Sequence, residues 1–357
     1  ASPSALHLRS VSGKTVTMTR KILYGVQGTG QGHISRARGV AHALKDYDVD
    51  VTWLFSGRDK DKLFDMEPFG DFKHREGLTM VTEAGKMKYR KTALKAAPAT
   101  FIKDATTLDL DPYDIIVCDY EPVISWACKA RGREAIGIGH QYAFGKNTPM
   151  TGDTPMSRLV MQQFAPVDIP VGLHWAPFDD SILPPILDLP EIDPDAIDDH
   201  VLVYLPFEDQ DLTTAWLQGF SDKTFIQYSP QLTDQTSGNV RRRKANVHGF
   251  KRDLASAKAV ICNTGFELIS ECLQWKKPVL TRPLAKQMEQ LSNAAALEQL
   301  GYATTMQSLE TTTARAWFDA MPTAPDVHFN NVAEALAQWL ARGGSRSVSE
   351  LSSQLWA

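Results

Sequence analysis

The sequence predicts an α/β protein in which two doubly wound domains face one another across a cleft. Two series of short apolar runs alternate with amphipathic stretches, and a segment rich in proline and acidic residues separates the two series. The runs are continuously apolar, which indicates strands covered on both faces and therefore parallel sheets with helical crossovers. Ligands of such sheets bind outside the carboxyl ends of the strands, so the loops after the strands form the candidate site.

The first series of runs predicts an N-terminal domain that covers residues 20–190. Its strands are predicted at 21–26, 50–55, 114–119 and 135–139, with helices near 33–45, 92–107 and 122–131. The second series predicts a C-terminal domain that covers residues 198–328. Its strands are predicted at 200–206, 224–229, 258–263 and 277–283, with helices near 209–219, 265–275 and 287–300.

Two further segments complete this organisation. Segment 184–199 combines several prolines with clustered acidic residues. Proline interrupts helices and like charges repel, so we predict a linker about which the two domains hinge. Segment 329–357 contains the amphipathic run VAEALAQWLA, which predicts a helix that packs back toward the N-terminal domain and is followed by a frayed tail.

The composition of the 357-residue chain excludes several classes of function. Lys and Arg number 38 against 42 Asp and Glu, and this formal charge of −4 argues against nucleic-acid partners, which require a concentrated basic surface. The four cysteines form no CxxC pair and the histidines show no zinc spacing. We therefore expect neither a metal ion nor another cofactor.

The location of the protein is predicted from the same composition. Residues 1–19 lack the apolar core of a secretory signal, and no apolar run reaches the ~20 residues of a membrane-spanning helix. We expect a cytoplasmic protein, with peripheral contact at the inner face of the membrane as a variant of that location.

The first candidate loop follows strand 21–26. Gly28, Gly30 and Gly32 stand within five positions, which lets the backbone turn sharply and leaves room for a ligand beside the next helix. The spacing is GxGxG rather than GxGxxG, and strand 50–55 is not followed by the acid that would bind a ribose. The pattern therefore disfavours a dinucleotide cofactor.

His33 follows this loop, in the first turn of the predicted helix. The helix dipole disfavours protonation at that end, which leaves the imidazole available as a base near neutral pH. Strand 114–119 ends in Asp119 at the same sheet edge, where a carboxylate would fix the tautomer and stabilise the imidazolium. Two structural explanations stay open: His33 packs under the loop, and Asp119 is the N-cap of the next helix.

The second candidate loop follows strand 258–263 and reads Asn263-Thr264-Gly265-Phe266-Glu267. Thr264 and Glu267 have the spacing of a capping box, which gives Glu267 a structural explanation. Gly265 and the N–H groups of the first helical turn offer an anion site suited to a diphosphate. Glu271 lies one turn further along the same helix face, and no cap requires it.

Glu289 and Gln290 begin the helix after strand 277–283, again at a carboxyl end. The run TGFELISECLQWKKPVLTRPLAKQMEQLSNA resembles the donor-binding signature of the GT-B-fold nucleotide-sugar glycosyltransferases, and GTGQGHISRARGVAHAL resembles their glycine-rich loop with its histidine. The resemblance is to the branch with plant and bacterial UDP-sugar transferases and the N-acetylglucosaminyltransferase of peptidoglycan synthesis. It implies two Rossmann-like domains that face a cleft.

The resemblance implies a role for each matched residue. His33 matches the catalytic base and Asp119 its carboxylate partner. Glu271 matches the glutamate that accepts hydrogen bonds from both ribose hydroxyls of UDP. The other implied donor-binding residues are Gly30 and Gly32 in the glycine-rich loop, Phe250 at the uracil, Asn263, Thr264 and Gly265 at the diphosphate, and Glu267, Glu289 and Gln290 near the donor sugar.

The resemblance also implies the reaction. His33 removes the proton of an acceptor hydroxyl, which attacks the anomeric carbon opposite the UDP and inverts its configuration. Helix N-termini rather than a metal ion take up the charge of the leaving group. Two alternatives stay open, a UDP-sugar 2-epimerase and a non-catalytic nucleotide-sugar-binding protein.

The partners implied are a UDP-linked sugar donor and an acceptor that is a glycan, a lipid-linked molecule or a small molecule. A basic patch in the N-terminal domain is a candidate contact for an anionic glycan or acidic lipid headgroups, and a solvated loop is the structural alternative. The patch consists of Lys86, Lys88, Arg90, Lys91 and Lys95.

Overall fold

The computed structural model describes residues 19–78, 82–83, 86–87, 98–145, 147–190, 196–344 and 347–357. Its strands are β1 (Arg20–Gln27), β2 (Val49–Ser56), β3 (Lys73–His74), β4 (Thr82–Glu83), β5 (Lys86–Met87), β6 (Ile115–Asp119), β7 (Ile136–Gly139), β8 (Ile169–Leu173), β9 (Ile182–Leu183), β10 (His200–Tyr204), β11 (Thr224–Ser229), β12 (Gln235–Ser237), β13 (Val240–Lys244), β14 (Ala259–Asn263), β15 (Val279–Arg282) and β16 (Thr304–Thr305). Its helices are α1 (Gln31–Leu44), α2 (Pro98–Thr107), α3 (Pro122–Arg131), α4 (Pro155–Phe164), α5 (Gln210–Gln218), α6 (Val247–Ser256), α7 (Phe266–Gln274), α8 (Met288–Leu300), α9 (Thr311–Ala320), α10 (Val332–Ala341) and α11 (Val348–Trp356).

The first sheet contains seven strands in the order β3-β2-β1-β6-β7-β8-β9, and all neighbours are parallel. Successive residues of β1 enter different cores. Ile22 and Tyr24 belong to the cluster that contains Val40 of α1, whereas Leu23 belongs to the cluster that contains Ala127 of α3. Both faces of the sheet are therefore covered, as continuous apolar strands require. We call this sheet with α1–α4 the first lobe.

The second sheet also contains seven strands, in the order β12-β13-β11-β10-β14-β15-β16. Its neighbours are parallel except for β12 and β13, which form an antiparallel pair. Leu202 packs in the cluster of Leu254 on α6, and Val203 packs in the cluster of Phe318 on α9. This sheet is again covered on both faces. We call it, with α5–α9, the second lobe.

The last two helices pack on the first lobe. The hydroxyl of Tyr47, after α1, donates to Glu334 of α10 (2.5 Å), and Ser352 of α11 donates to the carbonyl of Ile182 in β9 (2.7 Å). The predicted frayed tail is wrong, because α11 is an ordered helix. A capping box between Ser347 and Glu350 starts it, and apolar residues one turn apart bury its inner face.

The strands and helices predicted from the sequence lie where the structure has them, with bounds that differ by a few residues. The predicted helix 92–107 begins at Pro98 within the described ranges. Residues 88–97, and with them most of the basic patch, lie outside those ranges. Of the patch, Lys86 alone lies within them, as part of strand β5. Across the described residues, no helix is both long and apolar enough to span a membrane.

Candidate active site

The turn from β1 into α1 brings two backbone segments close together. The amide of Gly28 donates to the carbonyl of Ser56 at the end of β2 (2.7 Å). A Cβ on Gly28 would lie 2.9 Å from that oxygen, so this approach requires glycine. Helix α1 then starts after Gly30 with no side-chain cap and no acidic residue in its first turn. Its N–H groups therefore lack a counter-charge from their own helix.

His33 lies in that first turn, and its Nδ1 is 2.8 Å from Oδ1 of Asp119. The parallel register that pairs Val26 with Asp119 places this carboxylate at the sheet edge beside the start of α1. Asp119 is fully buried, whereas the side chain of His33 keeps 13% of its surface exposed. The structure thus brings together the two residues that the resemblance identifies as base and partner.

Asp119 does not cap the next helix, which was its structural explanation. The N-cap of α3 is Glu121, whose carboxylate accepts hydrogen bonds from the amides of Val123 (2.8 Å) and Ile124 (2.7 Å). The hydroxyl of Ser56 donates to the same carboxylate. Burial raises the pKa of Glu121 to about 7, and these hydrogen bonds only partly oppose the rise.

Arg36 lies one turn after His33 and was not predicted from the sequence. Its Nε donates to Oδ2 of Asp119 (2.7 Å), its Nη2 donates to Oδ1, and Nη2 also lies 2.6 Å from Nδ1 of His33. Burial raises the pKa of the Asp119 carboxyl, but the charge of Arg36 and the contacts with His33 outweigh it, so that pKa lies below its ordinary value. Asp119 is therefore ionised at neutral pH.

The ionised carboxylate decides where the neutral imidazole carries its proton. Nδ1 of His33 lies between an acceptor, Asp119, and a donor, Arg36, which cannot accept a hydrogen bond. We assign the proton to Nδ1, because a lone pair at that position would face the negatively charged Oδ1 of Asp119. The Nε2 lone pair is then left to take a proton from another molecule.

The predicted capping box of the second loop is wrong. Helix α7 begins after Gly265, which is its N-cap and makes no side-chain cap hydrogen bond. The hydroxyl of Thr264 pairs with that of Thr281 on β15 (2.9 Å), and Glu267 forms an ion pair with Arg36 of the first lobe. The local spacing favours a capping box. Instead, Thr264 bonds to a neighbouring strand and Glu267 bonds across the cleft, so neither side chain caps the helix.

Glu271 lies one turn beyond Glu267 and is only 4% exposed. Its carboxylate forms an ion pair with Lys251 of α6, a partner that was not predicted. Burial raises the pKa of Glu271, and the charge of Lys251 opposes that rise. Glu271 and Phe250 line a cleft of about 640 Å³ together with Gly32 at the start of α1.

The other donor-binding candidates of the second lobe differ in what surrounds them. The ring of Phe250 packs edge-on against Tyr204, with centroids 5.2 Å apart. The amide nitrogen of Asn263 donates to the carbonyl of Arg282 (3.1 Å), but its buried Oδ1 has no hydrogen-bond partner among the described residues. A Cβ on Gly265 would meet nothing within 4 Å. The start of α7 therefore faces open space next to an unsatisfied polar atom.

Glu289 and Gln290 point in different directions at the start of α8. Glu289 accepts a hydrogen bond from Nε2 of Gln141 in the first lobe (3.2 Å). Gln290 is buried, and its side-chain oxygen accepts from the amide of Leu284 in its own loop (3.0 Å). The side-chain oxygen of Gln141 also accepts from Arg36 (3.3 Å). Gln141 thus connects Glu289 with the His33 cluster.

A second set of contacts holds the lobes together beside these residues. The buried ring of His140 lies between the carbonyl of Leu173 (2.8 Å) and Oδ1 of Asn293 on α8 (2.7 Å), and it stacks on Phe266 with centroids 4.0 Å apart. Nε1 of Trp175 donates to Ser270 on α7 (2.8 Å). The described cleft is therefore closed along one side.

Two further properties concern ligands and cysteines. In the residues that the structure describes, no three His, Cys, Asp or Glu side chains form a group that could hold a metal ion. The four cysteines are buried free thiols, and they are Cys118, Cys128, Cys262 and Cys272.

Comparison with known proteins agrees with this architecture. The glycosyltransferase SnogD from Streptomyces nogalater is 15% identical, with a TM-score of 0.51 over 95% of this chain and 99% of that chain. The glycosyltransferase SsfS6 of Streptomyces sp. SF2575, complexed with thymidine diphosphate, is 12% identical, with a TM-score of 0.56 over 94% and 99%. UGT2 of Phytolacca americana, complexed with UDP-2-fluoro-glucose and pterostilbene, is 12% identical, with a TM-score of 0.57 over 94% of each chain. These likenesses establish the GT-B fold.

The family follows from the sequence itself. No curated protein matches the chain significantly. The family model described as glycosyl transferase family 1 matches residues 20–322, which span both sheets and every candidate site residue. The chain therefore belongs to glycosyl transferase family 1 and is a sugar-transferring enzyme of the GT-B fold.

Proposed function

We propose that the protein transfers a sugar from a UDP-sugar to an acceptor hydroxyl, inverts the anomeric configuration and uses no catalytic metal ion. The observation that supports this best is a single cleft lined by the buried acid Glu271 and by Gly32, one residue before His33. The nucleotide-binding acid of the second lobe and the base of the first lobe then lie on opposite sides of one cleft.

The nucleoside occupies the cleft of about 640 Å³. Glu271 accepts hydrogen bonds from the two ribose hydroxyls, because a carboxylate has two oxygens and no proton to donate. Lys251 forms an ion pair with this buried carboxylate and opposes the effect of burial on its pKa. Phe250 supplies an apolar wall for the uracil. Nucleoside diphosphates with a pyrimidine base are named with two of the similar structures, which supports this class of donor.

The diphosphate lies at the start of α7, beside Thr264 and Gly265. The amide of Gly265 itself donates to the carbonyl of Asn263 (2.8 Å), so the N–H groups of the first turn of α7 donate to the diphosphate. The helix dipole and uncapped N–H groups favour an anion there, and Gly265 leaves space for it. Asn263 adds a neutral amide beside this position. Because these dipoles are fixed in place, they stabilise the charge that develops on the leaving diphosphate.

The sugar then lies between Glu289 and the His33 cluster. Glu289 is partly exposed beside Gln141 and binds sugar hydroxyls, whereas Gln290 contributes by fixing the loop after β15. The acceptor hydroxyl gives its proton to Nε2 of His33 while its oxygen attacks the anomeric carbon. The bond to the diphosphate breaks on the opposite face, so one displacement inverts the configuration.

The acceptor occupies a second pocket, of about 1040 Å³, on the other side of Gln141. Its walls combine polar and apolar surface, and the first lobe contributes Tyr142, Phe144, Met150 and Met161 to them. Gln141 belongs to this wall and contacts both Arg36 and Glu289. An acceptor in this pocket therefore lies next to both the base cluster and the donor-sugar side chain.

Calorimetry with UDP and 2′-deoxy-UDP tests the donor assignment. We expect the parent protein to bind UDP about 10- to 100-fold more tightly, because 2′-deoxy-UDP leaves one buried carboxylate oxygen without a donor. In Glu271→Gln we expect this preference to shrink to a few fold. The ratio of the two ligands within each variant serves as its own control against loss of folding. An unchanged ratio in Glu271→Gln would contradict the ribose assignment.

A further inference from the structure

The guanidinium of Arg36 joins the two lobes at the reactive imidazole. On the first-lobe side it contacts Asp119 with two nitrogens and lies against His33. On the second-lobe side its Nη1 forms an ion pair with Glu267. The side chains of Arg36 and Asp119 are 2% and 0% exposed, and that of Glu267 is 18% exposed. All four groups thus form one shielded cluster that only exists while the lobes are in contact.

The charges of this cluster depend on the second lobe. Within the first lobe, the negative charge of Asp119 is matched by the positive charge of Arg36. A proton on His33 would then add an unbalanced positive charge next to a guanidinium, which is unfavourable at low exposure. Glu267 adds a second carboxylate, so the cluster carries one net negative charge before His33 takes a proton. Protonation then neutralises the cluster.

We infer that Glu267 is a positioning residue that makes His33 a competent base only when the two lobes are closed. The inference rests on the proposed base role of His33 and deepens it. Glu267 acts through Arg36, since its carboxylate binds the guanidinium and not the imidazole. The closed cleft therefore both surrounds the donor and prepares the proton acceptor, which ties proton removal to a bound donor.

The glycine-rich loop gives this contact its space. A Cβ on Gly32 would overlap the carboxylate of Glu267, so any larger residue at this position requires that carboxylate to move from where it meets the start of α1. The first turn of α1 has no acid of its own, and the carboxylate from the opposite lobe supplies one. Glycine at this position thus leaves room for a contact between the lobes.

The other groups around His33 do not replace Glu267. Directly after β6, the ring of Tyr120 lies parallel to the imidazole with centroids 6.4 Å apart, and burial raises the pKa of this phenol far beyond neutral pH. From α8, Glu289 reaches the cluster through Gln141, which is uncharged. Of the charged groups in this part of the described structure, Glu267 is the one that binds Arg36 from the second lobe.

NMR titration of the histidine ring signals in the parent and in Glu267→Gln tests this inference directly. The substitution keeps the shape of the side chain and removes its charge. We expect the His33 ring to titrate about one pH unit lower in the variant, because the imidazolium loses a nearby carboxylate in a shielded site. The acid limb of the pH dependence of kcat should move in the same direction. The exposed Glu134, changed to Gln, is the matched control and should move neither.

A second variant reaches the same contact by another route. Gly32→Ala keeps every charge but pushes Glu267 away from Arg36, so the His33 titration should again move to lower pH. A His33 titration that is unchanged in folded Glu267→Gln and Gly32→Ala would overturn the inference. The ring titration needs no substrate, so absence of transfer together with the expected shift would count against the proposed function alone.

Discussion

The turn into α1 and the turn into α7 share one local design but differ in their surroundings. Each helix starts after a glycine N-cap without a side-chain cap, at the carboxyl end of a strand inside its sheet. At the first turn, Glu267 crosses the cleft and lies against Gly32 and Arg36. At the second turn, a Cβ on Gly265 would meet nothing within 4 Å. The start of α1 therefore has a carboxylate of the protein beside it, whereas the start of α7 is open to a ligand.

This difference separates two tasks between the lobes. Glu267 belongs to the first turn of α7, yet its carboxylate is bound to a cation on α1. The negative charge that would repel a diphosphate at α7 is thereby neutralised by Arg36. The N–H groups of α7 stay available for an anion, while the start of α1 becomes part of a cluster that holds a base. The same turn thus serves binding in one lobe and proton transfer in the other.

The largest expected effect follows from removing the imidazole in the first turn of α1. In His33→Ala, transfer should fall by ~10²- to 10⁴-fold, which is the usual contribution of a general base, while UDP affinity stays within a few fold. Initial rates of UDP release with calorimetry on the same preparation measure both. His42, 52% exposed on the same helix, gives the matched control His42→Ala, which should retain full activity. Unchanged turnover in His33→Ala would remove His33 from the mechanism.

Much of this site follows from sequence, because strand ends and glycine positions are local signals. The apolar runs predict the central strands of both sheets, and their order predicts which loops share an edge. Asp119 is the last residue of such a strand, and His33 and Glu271 lie in the first two turns of the helices that follow such strands. Short or polar elements such as β13 and α9 were not predicted, since neither has a long apolar run.

The contacts across the cleft could not be predicted in this way. Arg36 and Glu267 are 231 positions apart, and no local pattern connects them. The spacing of Thr264 and Glu267 even favours a capping box that the packed protein does not form. One signal was available: Arg36 follows His33 by three positions, which places both on the same face of α1. The division into domains 20–190, 198–328 and 329–357 stays a prediction.

A smaller effect is expected for the pH dependence of stability. The first lobe contains two buried carboxylates, one with a charged partner and one without. Asp119 has Arg36 as a cation partner, whereas Glu121 is held by neutral donors and its pKa is raised from 4.5 to about 7 by burial. Between these values the folded protein keeps a proton that the unfolded chain has lost. Stability should therefore fall as pH rises from about 5 to about 7, by at most ~3 kcal/mol.

Glu121→Gln tests this sign. The amide does not titrate, so the free energy of unfolding should change less between pH 5 and pH 7 than in the parent. The slope is the quantity to compare, because the variant also loses hydrogen bonds to the amides of α3 at every pH. Urea unfolding at four pH values provides it. Equal slopes in both proteins would show that Glu121 stays ionised when folded.

The smallest expected effects come from alanine substitutions at the two glycine N-caps, Gly265 and Gly30, which compare the two turns directly. In Gly265→Ala the new methyl group has space in the ligand-free protein, so stability should change little, but it enters the proposed diphosphate position. UDP affinity should fall about 10-fold, a loss of ~1.4 kcal/mol.

In Gly30→Ala the methyl group would lie 3.7 Å from Cδ2 of His33, an ordinary contact, so donor affinity should stay closer to the parent value. Calorimetry with UDP on both variants decides whether the anion binds at α7. An equal loss in both would mean that the diphosphate lies between the two helix starts, and a loss only in Gly30→Ala would place it at α1.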